Sequence, residues 1–404
     1  MASEQGPALK IGDRIEVTIE KVAHGGHFIA RHNGAVIFVR HAIEGEVCTI
    51  ELTSVGASFS RADAISIHTP SEFRVNPSCS FSHSKGCGGC DFQHISEIHQ
   101  RTLKSQVISE QFARIAKMDL TVEVEKVGES SKWRTRAIAT TNQDGKLGFY
   151  KSRSHTVVPV TDCNICVDAL GIHELSQKSL KPDYRVEISA SNTGERSIAL
   201  TSVIGQQRAR LTEGPAKLHE KVLDKTLEVS HESFWQSHKN APEVLTKAVL
   251  EFASFKPGDH VLDLYGGVGL FTAAILDIVG ASGRVDLIEG SKFATSDATT
   301  NFSSHANVKV ITGDVAQHLP RISSADIVVL DPPREGAGKE VIAQIARLRP
   351  RSIIYVACDP AALARDTTYL AQHSFSLVKI RAFDLFPMTH HIECVALYAQ
   401  TDVS

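Results

Sequence analysis

HVLDLYGGVGLFTAAIL, residues 260–276, passes from an apolar run through Gly266, Gly267 and Gly269 into a second apolar run. The first run reads as a buried strand and the second as a helix, and the glycines between them let the backbone approach a ligand closely. Working outward, VDLIEGS is a second strand ending in Glu289, and VKVITGD ends in Asp314. ADIVVLDPPREG ends in Asp331-Pro332-Pro333-Arg334, and RSIIYVACDP ends in Cys358. Strands alternating with helices, with acidic or reactive residues just past the strands, predict a doubly wound α/β domain over 231–404 that binds its ligand at the strands' carboxyl ends. Glu289 lies 26 residues beyond Asp263, a placement suited to ribose hydroxyls. A dinucleotide enzyme would share the glycine turn, but nothing here supplies a hydride-acceptor site. Cys358 alone is a weak signal, because a lone cysteine is more commonly a small buried hydrophobe than a nucleophile.

The chain of 404 residues is long enough for two or three domains, and its 42% hydrophobic and 22% charged content is that of a soluble globular protein. The opening MASEQGPALK is polar, with no charged-then-apolar leader. The longest apolar candidate, Leu264 to Leu276, is too short to span a bilayer and is flanked by Asp263 and Asp277. A cytoplasmic protein without membrane contact is expected. Eight cysteines in a reducing compartment point to metal binding or catalysis rather than disulfides. A net charge of −3 carries no global basic signature, so nucleic-acid contacts would have to be local.

Residues 10–67 alternate apolar and polar positions, break at Gly25-Gly26 and carry an Asn33-Gly34 hairpin signal, which predicts a small barrel of OB type. In NPSCSFSHSKGCGGCDFQHI, Cys79, Cys87 and Cys90 stand around a glycine-rich turn, so three thiolates can approach one centre. Zinc and an iron–sulfur cluster both suit such a set, and both need a fourth ligand, with Cys163 and Cys166 as candidates. The spacing over 95–117 predicts a helix with one apolar face and Gln, Lys and Arg on the others, read as a packing helix. Between 132 and 153, Lys132, Arg134, Arg136, Lys146, Lys151 and Arg153 face one acid, Asp144, with Trp133, Phe149 and Tyr150 interleaved. Basic groups neutralise phosphates and aromatics stack on bases, although a charge run is more often a solvated face. Residues 167–230 mix strand and helix signals without isolable chemistry.

FWQSHKNAPEVL, VLDLYGGVGLF, VVLDPPREGAG, YVACDPAALARD and FDLFPMTHHIECVALY together resemble the motifs of the RNA uracil-5-methyltransferases. Ile19, His24-Gly25-Gly26, Ile29-Ala30-Arg31, Gly34, Phe38-Val39 and Gly45-Glu46 resemble the TRAM domain found at the front of several RNA-modifying enzymes. The resemblance is closest to the ribosomal-RNA branch of the family. It implies three domains: a TRAM barrel over 1–68, a central α+β iron–sulfur and RNA-binding domain over 69–230, and a Rossmann-like class I methyltransferase domain over 231–404.

The same resemblance implies that Cys358 is the nucleophile and Glu393 the proton-abstracting base, with His390 and His391 as rival bases. Gln236, Tyr265, Glu289, Asp331 and, less closely matched, Asp314 fall at the S-adenosyl-L-methionine positions. Cys79, Cys87, Cys90 and Cys163 fall at the ligands of a 4Fe-4S cluster, with Cys166 in reserve. The implied reaction makes 5-methyluridine in RNA, 23S rRNA first and tRNA second, and a monomer is the default. A cytosine-5-methyltransferase would normally carry a further cysteine in its DPP-type motif, and Asp331-Pro332-Pro333-Arg334 has none. A catalytically idle RNA-binding factor is the rival of another class; the intact Cys358, Glu393, Asp331 and Gln236 speak against it.

Overall fold

A computed structural model describes residues 9–204 and 209–401; the polar opening at 1–8 and the chain end beyond 401 lie outside the described residues. The strands Arg14–Ala23, His27–His32, Ala35–Arg40, Val47–Val55 and Ser60–Thr69 close into a five-stranded barrel. Asn33 and Gly34 both take positive φ, 48° and 81°, as the tight hairpin turn requires.

The C-terminal half is built on an eight-stranded sheet. Its order across the sheet is Val308–Thr312, Arg284–Glu289, His260–Leu264, Ile327–Leu330, Ser352–Ala357, Glu393–Gln400, Phe375–Asp384 and Val124–Lys126. The first five strands are mutually parallel, and Glu393–Gln400 runs antiparallel to both neighbours. The chain order reverses between His260–Leu264 and Ile327–Leu330, so the switch point, where such sheets open a ligand crevice, lies beside the Gly266–Gly269 turn. The central unit is a six-stranded sheet that includes Arg136–Thr141, Leu147–Tyr150 and Tyr184–Ala190.

The units are not separate beads. Helix Glu97–Gln111 and strand Val124–Lys126, from the stretch expected in the central domain, pack on helix Pro360–Gln372 and join the edge of the large sheet. One continuous apolar core runs from Val17, Phe28 and Ile37 in the barrel through Phe92, Leu103 and Ile108 to Leu330, Ile353 and Leu363 on the large sheet and its helix. A second core fills the other face of the large sheet, around Leu245, Phe271, Val329 and Ile354.

Candidate active site

Sheet order sets the site. The carboxyl ends of successive strands present Asp314, Glu289, Tyr265, Asp331 and Cys358 in a row, and the antiparallel strand beginning at Glu393 extends it. Ala357 pairs with Cys394, so one step further along each strand sets Cys358 across from Glu393. With strands about 4.8 Å apart, Glu289 and Cys358 stand roughly 14 Å apart along the edge.

Toward the Glu289 end, Tyr265 holds φ +60°, an uncommon backbone state for a bulky residue, and its N–H donates to the Ile288 carbonyl at 2.8 Å. A methyl group at Gly266 would fall 2.7 Å from Leu287 Cγ, so only glycine lets the chain turn there. Glu289 is fixed by N–H donors of its own chain, Gly267 at 3.1 Å and Ser291 at 2.6 Å. Gln236, Phe234, Trp235, Tyr265, Gly266, Gly267, Val268 and Asp331 line one shallow pocket. Gln236 Nε2 reaches Asp331 Oδ2 at 3.5 Å. Asp314 caps the short helix Val315–His318, accepting from the Gln317 N–H at 3.2 Å.

The carboxyls beneath this pocket are electrostatically loaded. Asp263 is buried; Thr272 bonds one oxygen through N–H and hydroxyl, while the other has no partner. Burial, reinforced by Glu289, pushes Asp263 up to about 6 despite those bonds. Burial and then the charges of Asp263 and Glu289 push Asp331 up to about 7. Glu393 lies well above the ordinary carboxylate range, from burial first and Asp331 second. The half-buried Cys358 thiol is pushed up to about 12 by burial and by Glu393 and Asp331, with Arg334 opposing. A cluster of this kind lacks a cation.

Asp359 explains itself structurally. It is the N-cap of Pro360–Gln372: Oδ1 accepts from the Ala361 and Ala362 N–H groups at 2.9 and 3.0 Å, with Pro360 in the first turn. Cys358 is thereby pinned between the end of a strand and a capped helix. The loop before Glu393 is held just as closely. Lys104, fully buried, donates to Asp384 Oδ1 at 2.6 Å and to the Phe386 carbonyl at 3.1 Å, and Gln100 Oε1 accepts from the Met388 N–H at 2.9 Å. His390 Nδ1 lies 2.6 Å from Asp91 Oδ2, and burial lowers His391 to about 3. Cys394 is core. Sequence reasoning missed His24, Asp91 and Lys104, whose partners are distant in the chain.

Cys79, Cys87, Cys90, Cys163 and Cys166 line one cavity of about 500 Å³, together with Arg134, Arg136, Phe149 and Trp235. Gly88 belongs there because a side chain would overlap the Ser152 backbone. Among the described residues no group of three His, Cys, Asp or Glu is drawn together tightly enough for a single ion.

The basic strip departs from expectation in one respect. Trp133 is wholly buried and stacked on His238, with centroids 5.5 Å apart, so it offers no face to a base. Lys132 is paired with Asp168 at 2.8 Å, whereas Lys146, Tyr150 and Arg153 are exposed.

A doubly wound sheet with a glycine turn, an acid at the end of the next strand and a thiol across from a carboxyl has the architecture of the Rossmann-like class I methyltransferases, and comparison with known proteins is specific. The family profile described as tRNA (Uracil-5-)-methyltransferase matches residues 318–401, and that of the TRAM domain matches 8–65. A profile for protein-L-isoaspartate(D-aspartate) O-methyltransferase matches 216–347. An uncharacterized RNA methyltransferase of Streptomyces avermitilis is 40% identical, covering 96% of this chain and 98% of its own. The 23S rRNA (uracil(1939)-C(5))-methyltransferase RlmD of Shewanella piezotolerans is 28% identical over 96% of both chains. The crystal structure of Pyrococcus abyssi tRNA (uracil-54, C5)-methyltransferase with S-adenosyl-L-homocysteine superposes with a TM-score of 0.74 at 19% identity, covering 95% of this chain and 99% of that one. The chain belongs to the RNA uracil-5-methyltransferase family. Among the described residues no helix is long and apolar enough to cross a membrane.

Proposed function

We propose that this protein methylates carbon 5 of a uridine in RNA, with 23S rRNA as the substrate class, through a covalent adduct between Cys358 and carbon 6. The observation that carries the reading is the strand register that sets Cys358 across from Glu393, beside Asp331. Uracil carbon 5 is a poor nucleophile. Addition of the Cys358 thiolate to carbon 6 forms a C–S bond and moves the ring's electron pair into an enolate, whose carbon 5 is nucleophilic. S-adenosyl-L-methionine, when bound, supplies the electrophilic methyl group. Glu393 then takes the proton from carbon 5, the carbon 5–carbon 6 double bond re-forms, and the Cys358 thiolate leaves with its electron pair.

Gln236, Tyr265, Glu289, Asp331 and Asp314 would hold the cofactor. A cationic sulfonium is the complement that the raised Asp263, Asp331 and Glu393 lack. The target uridine must leave its stack to reach the thiol.

For Cys79, Cys87, Cys90 and Cys163 we propose a 4Fe-4S cluster, which would supply a structural cross-link to a loop-rich region. The donor set fits: a tetrahedral zinc needs sulfurs about 3.8 Å apart, given Zn–S bonds of about 2.3 Å. These thiols instead surround an open cavity. Cys163, less buried than Cys166, is the proposed fourth ligand, with Cys166 beside it in the cavity wall as the alternative. In this reading the barrel at 1–68 and the six-stranded unit within 69–230 hold RNA, the latter also the cluster, while 231–404, joined by Glu97–Gln111 and Val124–Lys126, carries the chemistry.

The decisive experiment is methyl transfer from tritiated cofactor to 23S rRNA and tRNA transcripts by wild type and C358A. The wild type should label 23S rRNA, and C358A should bind cofactor normally and transfer nothing. Turnover by C358A would refute the covalent route, and labelling of tRNA alone would move the substrate class.

A further inference from the structure

The TRAM barrel touches the chemistry directly. His24, in the turn between strands Arg14–Ala23 and His27–His32, places Nε2 3.1 Å from Asp359 Oδ2. Asp359 is the residue after the nucleophile, and its other oxygen caps the nucleophile's helix. One carboxylate is thus shared between the barrel and the helix that fixes Cys358. Two residues on, Gly26 (φ +78°) lies so close to His390 that an added methyl would fall 2.8 Å from its Cβ, Cγ and Nδ1. His390 is three residues before Glu393, and its Nδ1 meets Asp91, which Arg40 of the barrel approaches at 3.9 Å.

We infer that the His24-Gly25-Gly26 turn of the barrel is a positioning element of the active site, holding the Cys358 and Glu393 segments in register with each other. The two catalytic groups come from chain segments running in opposite directions, and the strand pairing between them ends at Ala357 and Cys394. Beyond that last pair only outside contacts can hold the segments together. The barrel turn supplies one on each: a 3.1 Å polar contact from the His24 ring to the nucleophile's cap and a close steric seat on the base's loop. His24 is a positioning residue, since it acts through Asp359. Freed of His24, Asp359 keeps its two cap bonds and Arg334 at 3.9 Å, but its Oδ2 loses a nearer partner and bears more fully on the thiol.

The transfer measurement rests on the proposed reaction; a second measurement does not. In single-turnover methyl transfer at saturating RNA, H24A should be about tenfold slower, with RNA affinity within about twofold of wild type. H24Q, whose amide can donate to Asp359 from a similar distance, should recover most of the rate. A loss confined to RNA affinity, an unchanged H24A rate, or an H24Q as slow as H24A would overturn the inference. Independently, alkylation of Cys358 in RNA-free protein, read on its peptide by mass spectrometry, should slow severalfold in H24A. Equal alkylation rates would overturn the inference while leaving the methylation reading intact. A wild type that methylates no uridine would refute that reading while this arm still tests the turn.

Discussion

Glu393 and Asp331 show how much a residue's role depends on its neighbours. As a neutral acid Glu393 cannot take a proton, and as a carboxylate in this site it is a strong base. Glu393→Gln should therefore leave addition and methyl transfer intact and arrest the enzyme as a covalent RNA adduct, visible as a shifted band that survives denaturation. Release of product at the wild-type rate would assign the base elsewhere. Asp331 sits at about 7 against an ordinary 3.8, so between about pH 4 and pH 7 the folded protein keeps a proton that the unfolded chain has released. Its contribution to stability is full below about pH 4 and is lost as pH rises through 7. Cofactor-free D331N should melt a few degrees above wild type at pH 8 and level with it at pH 4. Binding of the cationic cofactor near pH 7 should expel protons, and binding of neutral-sulfur S-adenosyl-L-homocysteine should expel fewer. Calorimetry in buffers of different ionisation enthalpy measures both.

Among the elements, strands and their terminal residues were legible in the sequence because each is written locally: an apolar run, then Glu289, Asp331 or Cys358. The turn at Asn33-Gly34 was legible for the same reason. What local pattern could not supply was the partner. Helix Glu97–Gln111 reads as amphipathic with polar outer faces, yet Gln100, Lys104 and Gln111 are buried. Lys104 is buried because Asp384, 280 residues away, meets it, and no spacing within the helix carries that information. The pairing of Cys358 with Glu393 is of the same kind: sequence likeness pointed to both, and strand register brings them together. Lys104→Met removes one partner of a buried pair and should destabilise the protein by about 3–5 kcal/mol. Adding Asp384→Asn to it should recover part of that loss in chemical denaturation. Slowed catalysis that persists in the double variant would mark the loss of the Phe386 contact rather than of charge.

At the scale of the whole molecule, the TRAM barrel and the large sheet share one core, while the six-stranded unit beside the cysteine-lined cavity has a core of its own. Cys87→Ser should yield protein with less iron and without the brown absorbance, and lowered thermal stability should accompany it; a wild type isolated without iron would count against the cluster. The two tryptophans of the chain sit at informative places in the molecule. Trp133 is sealed between His238 and Phe386, on the loop that leads to the base, and Trp235 lines both the cofactor pocket and the cysteine cavity. All indole emission therefore arises within the functional region, with none from the barrel or the outer helices. Cofactor entry, cluster loading and any shift of the base's loop each have a native optical reporter nearby, and W133F and W235F proteins would separate the two signals without an attached dye.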